Sequence, residues 1–203
     1  GDGGRADGAR AGRARGCVMA AGARVLSMNL ATTRGAWGFA EAVDGCIKQG
    51  ITAISPWRDQ VHATGLKEAA RIVEANGLRV TGLCRGGMFP AETPEGQQRA
   101  IDDNLRAIDE AAALHADCLV LVVGGLPGSS KDLPGARRMV ADGIAAMLPH
   151  ARASGVKLAI EPLHPMYAAD RACVNTLDQG LDIAEALGEG VGVAIDVYHV
   201  WWD

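Results

Sequence analysis

Leu158-Ala159-Ile160-Glu161-Pro162-Leu163-His164-Pro165 reads as an apolar strand that runs straight into a carboxylate and then breaks at a proline. Val193-Ala194-Ile195-Asp196-Val197-Tyr198-His199 repeats the pattern one unit later. In both stretches the acid falls where a strand leaves its sheet. Working outward, the chain from Arg24 onward alternates a short apolar run, a loop, and a longer segment with apolar residues at i, i+3 and i+4, which is the βα unit. Strands are expected over residues 25–29, 52–55, 79–84, 118–123, 157–160 and 192–195, and helices over 39–49, 66–76, 95–114, 135–154 and 177–187. Gly50, Gly77, Gly155 and Gly188 stand where helices stop.

Alternating strands and helices build either an open doubly wound sheet or a closed barrel. No GxGxxG follows the first strand, and Gly124-Gly125-Leu126-Pro127-Gly128-Ser129-Ser130-Lys131 has the wrong spacing for a phosphate-binding loop, so it reads as a flexible loop after the fourth strand. Polar and aromatic residues instead follow strand after strand: Asn29, Ser55 with Trp57 and Arg58, Arg85, Gly124, Glu161 with His164, and Asp196 with His199. That distribution is how a TIM-type barrel assembles a site at the C-terminal ends of its strands. The expected fold is therefore α/β, a TIM-type (β/α)8 barrel of which about six βα units occupy residues 24–203. A full barrel has eight strands in roughly 250 residues. The expectation is a C-terminally truncated barrel whose first and sixth strands carry unpaired edges. Residues 1–23, rich in Gly, Ala, Arg and Asp without apolar periodicity in their first part, are expected to be a disordered tail.

With 203 residues, 48% of them hydrophobic and 22% charged, the chain can bury a substantial core. A net charge of −4 offers no broad basic face for phosphate backbones, which argues against nucleic acid as a partner. No run approaches the roughly 20 apolar residues of a membrane span, and no secretory signal opens the chain, so a cytoplasmic protein is expected. Cys17, Cys46, Cys84, Cys118 and Cys173 are odd in number and contain no CxxC pair, which fits reduced packing thiols better than disulfides or structural zinc.

Glu161 and Asp196 end neighbouring parallel strands, which lie about 4.8 Å apart. Carboxylates that close repel unless something positive lies between them. One divalent metal ion answers this: Mn²⁺, Mg²⁺ or Co²⁺, with Zn²⁺ also admitted if an imidazole joins. The competing reading has equal weight at this point: each acid caps a helix or pairs with an arginine such as Arg85. His164 and His199 each lie three residues beyond one of the acids, suited to binding substrate oxygens or moving protons. Arg85 could hold a phosphate or a carboxylate. Trp57, Trp201 and Trp202 could wall a pocket, or simply pack. His62 and His115 have weaker claims, His115 falling at a helix end.

The strand-end Glu161 in its Ile-Glu-Pro context, followed by Asp196-Val197-Tyr198-His199, resembles the xylose isomerase-like barrel proteins described as sugar phosphate isomerases and epimerases. The resemblance runs from about Val25 to the last residue. It implies a divalent metal held by a Glu, an Asp, a His and a Glu after strands five to eight, the first two matching Glu161 and Asp196. It also implies that His199 binds substrate, as the DxxH histidine does in ketose epimerases. Those epimerases carry a second Glu six residues after the metal Glu, where this sequence has Tyr167. The implied activity is a metal-dependent isomerase or epimerase acting on a small carbohydrate through an enediolate. Glu161 would be ligand and base, and His199, His164, Arg85 and Trp57 would contact substrate. Inosose dehydratase, hydroxypyruvate isomerase or an inactive sugar-binding fragment are the alternatives, and homo-oligomerisation of the full-length form is open.

Overall fold

Each apolar run becomes a strand, and each stripe spaced i, i+3, i+4 becomes the face of a helix that covers it. The computed structural model describes residues 26–168 and 170–203. The tail expected over residues 1–23 and Cys17 lie outside them, as does the start of the first expected strand. In chain order the elements are β1 (Ser27–Asn29), α1 (Phe39–Lys48), β2 (Ala53–Ser55), α2 (Arg58–Thr64), α3 (Leu66–Ala75), β3 (Arg79–Val80), β4 (Leu83–Gly87), α4 (Pro94–Ala113), β5 (Cys118–Val122), α5 (Leu133–Ala153), β6 (Lys157–Ile160), α6 (Leu177–Leu187), β7 (Val191–Val193) and α7 (Val197–Val200).

All strand pairs are parallel, in the orders β1-β2-β3 and β4-β5-β6-β7. β3 and β4 are two halves of one strand, the first bonded to β2 and the second to β5. Thr81 N–H to Ile54 O and Cys84 N–H to Pro56 O, both at 2.9 Å, carry the pairing through the break. The result is an arc of six parallel βα units, the fold class the sequence implied. Among the described residues, β1 and β7 each have a single strand neighbour.

Strand alternation explains the layers. Leu119, Leu121, Leu158 and Ile160 are fully buried and face the helices, whereas Cys118, Val120 and Ala159 on the opposite, concave face are only half-buried. The helices cover only the convex side. Burying each of those leucine or isoleucine side chains contributes about 1.5–3 kcal/mol. Helix starts are set by caps: Thr93 accepts from Gly96 N–H at 3.1 Å, Asp132 from Gly135 N–H at 2.8 Å, and Thr176 from Gln179 N–H at 3.2 Å. α2 was not anticipated, because its buried face is the mixed pair Gln60 and Val61 rather than an apolar stripe. Among the described residues no helix is long and apolar enough to cross a membrane. Cys46, Cys84, Cys118 and Cys173 are free thiols.

Two backbone features shape the strand that faces the cleft. Pairing of β4 with β5 steps from Cys84↔Val120 to Gly86↔Leu121, so Arg85 is the extra residue of a β-bulge. Gly87, at φ 109°, lies so close to the Val122 carbonyl that no side chain fits there. Asn104 of α4, 1% exposed, clamps this end: its Oδ1 accepts from Gly87 N–H at 2.7 Å, and its Nδ2 donates to Gly87 O and Ala100 O, each at 2.8 Å. Asn104→Leu would strand the N–H and C=O of Gly87 in an apolar layer. A loss of about 2–4 kcal/mol in urea unfolding is expected. A loss below about 0.5 kcal/mol would mean that the clamp does not hold β4 in place.

Candidate active site

The C-terminal ends of the strands open into a cleft of about 630 Å³. Period-two alternation puts Glu161 on the concave side with Ala159, and its N–H bonds Leu121 O at 3.0 Å, which anchors the strand end beneath the carboxylate. Asp196 follows β7, where Ala194 N–H to Ile160 O at 2.8 Å extends the pairing. Glu161, Asp196 and His199 bring one ligand atom each to within 4.8 Å of one another.

Each carboxylate is held differently. Asp196 Oδ1 caps α7 by accepting from Tyr198 N–H at 2.9 Å, and its Oδ2 stands 3.9 Å from His199 Nε2. Among the described residues the Glu161 carboxylate accepts no hydrogen bond. Burial, reinforced by the Asp196 charge and opposed by Arg85, pushes its pKa up to about 7. The His164 backbone N–H points at His199 Nδ1 from 3.3 Å. An amide N–H only donates, so Nδ1 keeps its lone pair and the neutral ring carries its proton on Nε2. Burial holds this ring below the usual histidine value, against the pull of Asp196. His199 is therefore arranged to donate from Nε2, and the two carboxylates are the oxygen donors that suit a divalent cation. The donor chemistry fits such an ion, with Glu161 and Asp196 as part of its ligand set.

Of the other residues singled out in the sequence, Trp57 and Arg85 line the cleft. Trp57 is fixed by donating from its indole N–H to Asn29 Oδ1 at 2.9 Å. His164 is turned elsewhere: its ring stacks on Trp201 at 6.2 Å and meets Trp202 edge-on at 5.9 Å, and its Nδ1 accepts from Met166 N–H. Trp201 and Trp202 pack there rather than along the cleft. Arg58 is drawn to the outer layer, where it binds Asp103 at 2.7 Å and Glu110 at 2.6 Å, and His62 joins Glu110 at 2.9 Å. Cys84 reaches the cleft, but burial pushes its thiol up to about 12, so it stays protonated. Sequence reading missed Arg34, Tyr167 as a cleft wall, and Arg171. Tyr167 packs edge-on to His199 at 5.6 Å and Arg171 lies over the Tyr167 ring at 5.1 Å. Their one available signal was position in loops that follow strands.

The family model described as xylose isomerase-like TIM barrel matches residues 41–203, and the chain belongs to that family. Protein SMc04130 from Sinorhizobium meliloti 1021 is 75% identical, with a TM-score of 0.87 over 88% of this chain and 65% of its own. The IolI protein, solved with a zinc atom bound, is 20% identical with a TM-score of 0.73, covering 87% of this chain and 64% of its own. The 3-keto-D-glucoside 4-epimerase YcjR from E. coli is 20% identical with a TM-score of 0.68, covering 80% and 64%. This chain thus spans about two thirds of the length of these solved relatives. Among curated proteins none matches the sequence significantly.

Because the fold raises the Glu161 pKa above its ordinary 4.5, ionising this group costs more in the folded than in the unfolded chain. Its contribution to stability is fully favourable below about 4.5 and declines as pH rises through about 7. Glu161→Gln removes the ionisation. In metal-free buffer at pH 8 this variant is expected to be more stable than wild type by on the order of 2 kcal/mol, with no gain at pH 4. Urea unfolding across that range checks it, and an equal offset at both pH values would refute the electrostatic account.

Proposed function

We propose that the cleft belongs to a divalent-metal-dependent sugar or sugar-phosphate isomerase or epimerase that moves a proton next to a carbonyl. The observation that carries this reading is the convergence of Glu161, Asp196 and His199 at neighbouring strand ends on the floor of one cleft. Family membership supports an enzyme of this architecture, and one solved relative is an epimerase.

Glu161 and Asp196 would hold the ion, with Mn²⁺, Mg²⁺ or Co²⁺ suiting the oxygens and Zn²⁺ also accepting carboxylate ligands. When bound, it would draw electron density from a substrate carbonyl and ease the build-up of negative charge on the oxygen. This chain's residues do the rest. Glu161 removes the proton from the carbon beside the carbonyl, its carboxylate being free of hydrogen bonds that would hold it back. His199 donates from Nε2 to a substrate oxygen, with Nδ1 tied to the His164 backbone so that the ring keeps this orientation. Trp57, pinned through Asn29, and the apolar Val122 and Leu163 limit water around the carbon that loses its proton. Tyr167 stacks on the imidazole edge and fills the side of the cleft next to it.

Proton transfer of this kind exchanges the carbon-bound hydrogen with solvent. In D₂O with Mn²⁺, the protein should introduce deuterium next to the carbonyl of an accepted ketose, read by NMR. Glu161→Gln should reduce that rate by about a hundredfold or more. Exchange that survives both this substitution and chelation would overturn the assignment.

A further inference from the structure

Strand alternation alone would send Arg85 away from the cleft. Leu83 is fully buried among the helix-facing residues, and Cys84 faces the concave side, where it meets Ser55 Oγ at 3.9 Å. The next residue should return to the helix layer. It does not, because the bulge makes Arg85 the unpaired extra residue, and Gly86 takes the outward place instead, against Asn104 and Leu121. Cys84 and Arg85 therefore both face the cleft. The fold gives up a ladder position to put a half-buried guanidinium there.

That guanidinium has no carboxylate within 4.0 Å among the described residues. Its surroundings are cationic as well. Arg34, Trp57, Cys84 and Arg85 line both the main cleft and an adjoining pocket of about 250 Å³, to which Arg58 and Asp59 also contribute. Arg58 is already neutralised by Asp103 and Glu110. Asp59 binds Arg34 at 3.0 Å, and the Arg34 guanidinium lies 4.6 Å from the centre of the Trp57 ring. One carboxylate thus pairs with Arg34, whereas Arg85 has none in direct contact and acts on Glu161 only through space. The cleft is polarised, with acids at the strand ends of β6 and β7 and a guanidinium without a direct ion pair in the side pocket.

Resting on the function proposed above, we infer that the substrate carries an anionic group, a phosphate ester or a carboxylate, remote from its reacting carbonyl. Arg85, with Arg34 at the rim, binds that group in the side pocket, and Trp57 forms the floor beneath it. Two guanidinium groups offer directed donors that match a planar or tetrahedral oxyanion. A neutral sugar would leave the half-buried Arg85 without a directly bonded anion. Arg85 is thereby the residue that selects charged over neutral substrates.

Calorimetric titration of the chelator-treated chain with inorganic phosphate, and separately with acetate, tests this without turnover. Millimolar binding of phosphate is expected, weakened about tenfold or more in Arg85→Met. Arg34→Gln, on the exposed rim, should weaken it several-fold and keeps the test readable if the Arg85 variant does not fold. Tighter phosphate than acetate assigns the group to a phosphate ester, and the reverse order assigns it to a carboxylate. Absence of binding by either anion, or binding unchanged in every folded variant, overturns the proposal. Glu161→Gln should retain phosphate binding while losing deuterium exchange, so failure of the anion pocket and failure of the proton-transfer reading give different results.

Discussion

Leu121, Ile160 and Val193 lie side by side across three parallel strands, and this register decides where the two acids of the cleft stand. With Ile160 seated against the helices, Glu161 must turn to the concave side and Asp196 must arrive beside it. A slip of one residue would exchange the two faces, burying a carboxylate under α5 and α6 and exposing leucines to water. Two acids at neighbouring strand ends are thus a by-product of the same hydrophobic packing that holds the sheet. Their mutual repulsion is tolerated because the packing on the other side is large.

The electrostatic consequence is local. Glu161 carries its raised pKa because the strand places it away from water and near Asp196, while Asp196 spends one oxygen on the cap of α7. The difference between the two acids lies in their backbone surroundings. One leads into an irregular Pro-containing loop, the other starts a helix turn that supplies an N–H. That asymmetry leaves Glu161 with the freer carboxylate and gives His199, on the same turn as Asp196, its place beside both.

Much of this was legible in the sequence. Apolar runs ending in Glu161 and Asp196 located both acids at strand ends, and the alternation of runs with helical stripes gave the six-unit parallel arrangement. What pattern alone misplaced depended on contacts between distant segments. Arg58 follows a strand as Trp57 does, yet Asp103 and Glu110 on α4 draw it outward. His164 matches His199 in spacing, but Trp201 and Trp202 lie at the far end of the chain and take up its ring. Asn104 stands in the buried stripe of α4 with Ala107, Ile108 and Ala111, a polar residue whose partner, the Gly87 backbone, has no sequence signature. Arg85 is the plainest case, since a bulge breaks the very alternation on which a strand reading relies.

The bulge also separates two properties of the cleft. The acids belong to β6 and β7, whereas the orientation of Arg85 belongs to a single extra residue in β4. Losing that residue would restore the plain ladder and remove the guanidinium without touching Glu161 or Asp196. On the reading proposed above, ligand charge preference within one scaffold can therefore change by a one-codon deletion or insertion, independently of Glu161 and Asp196.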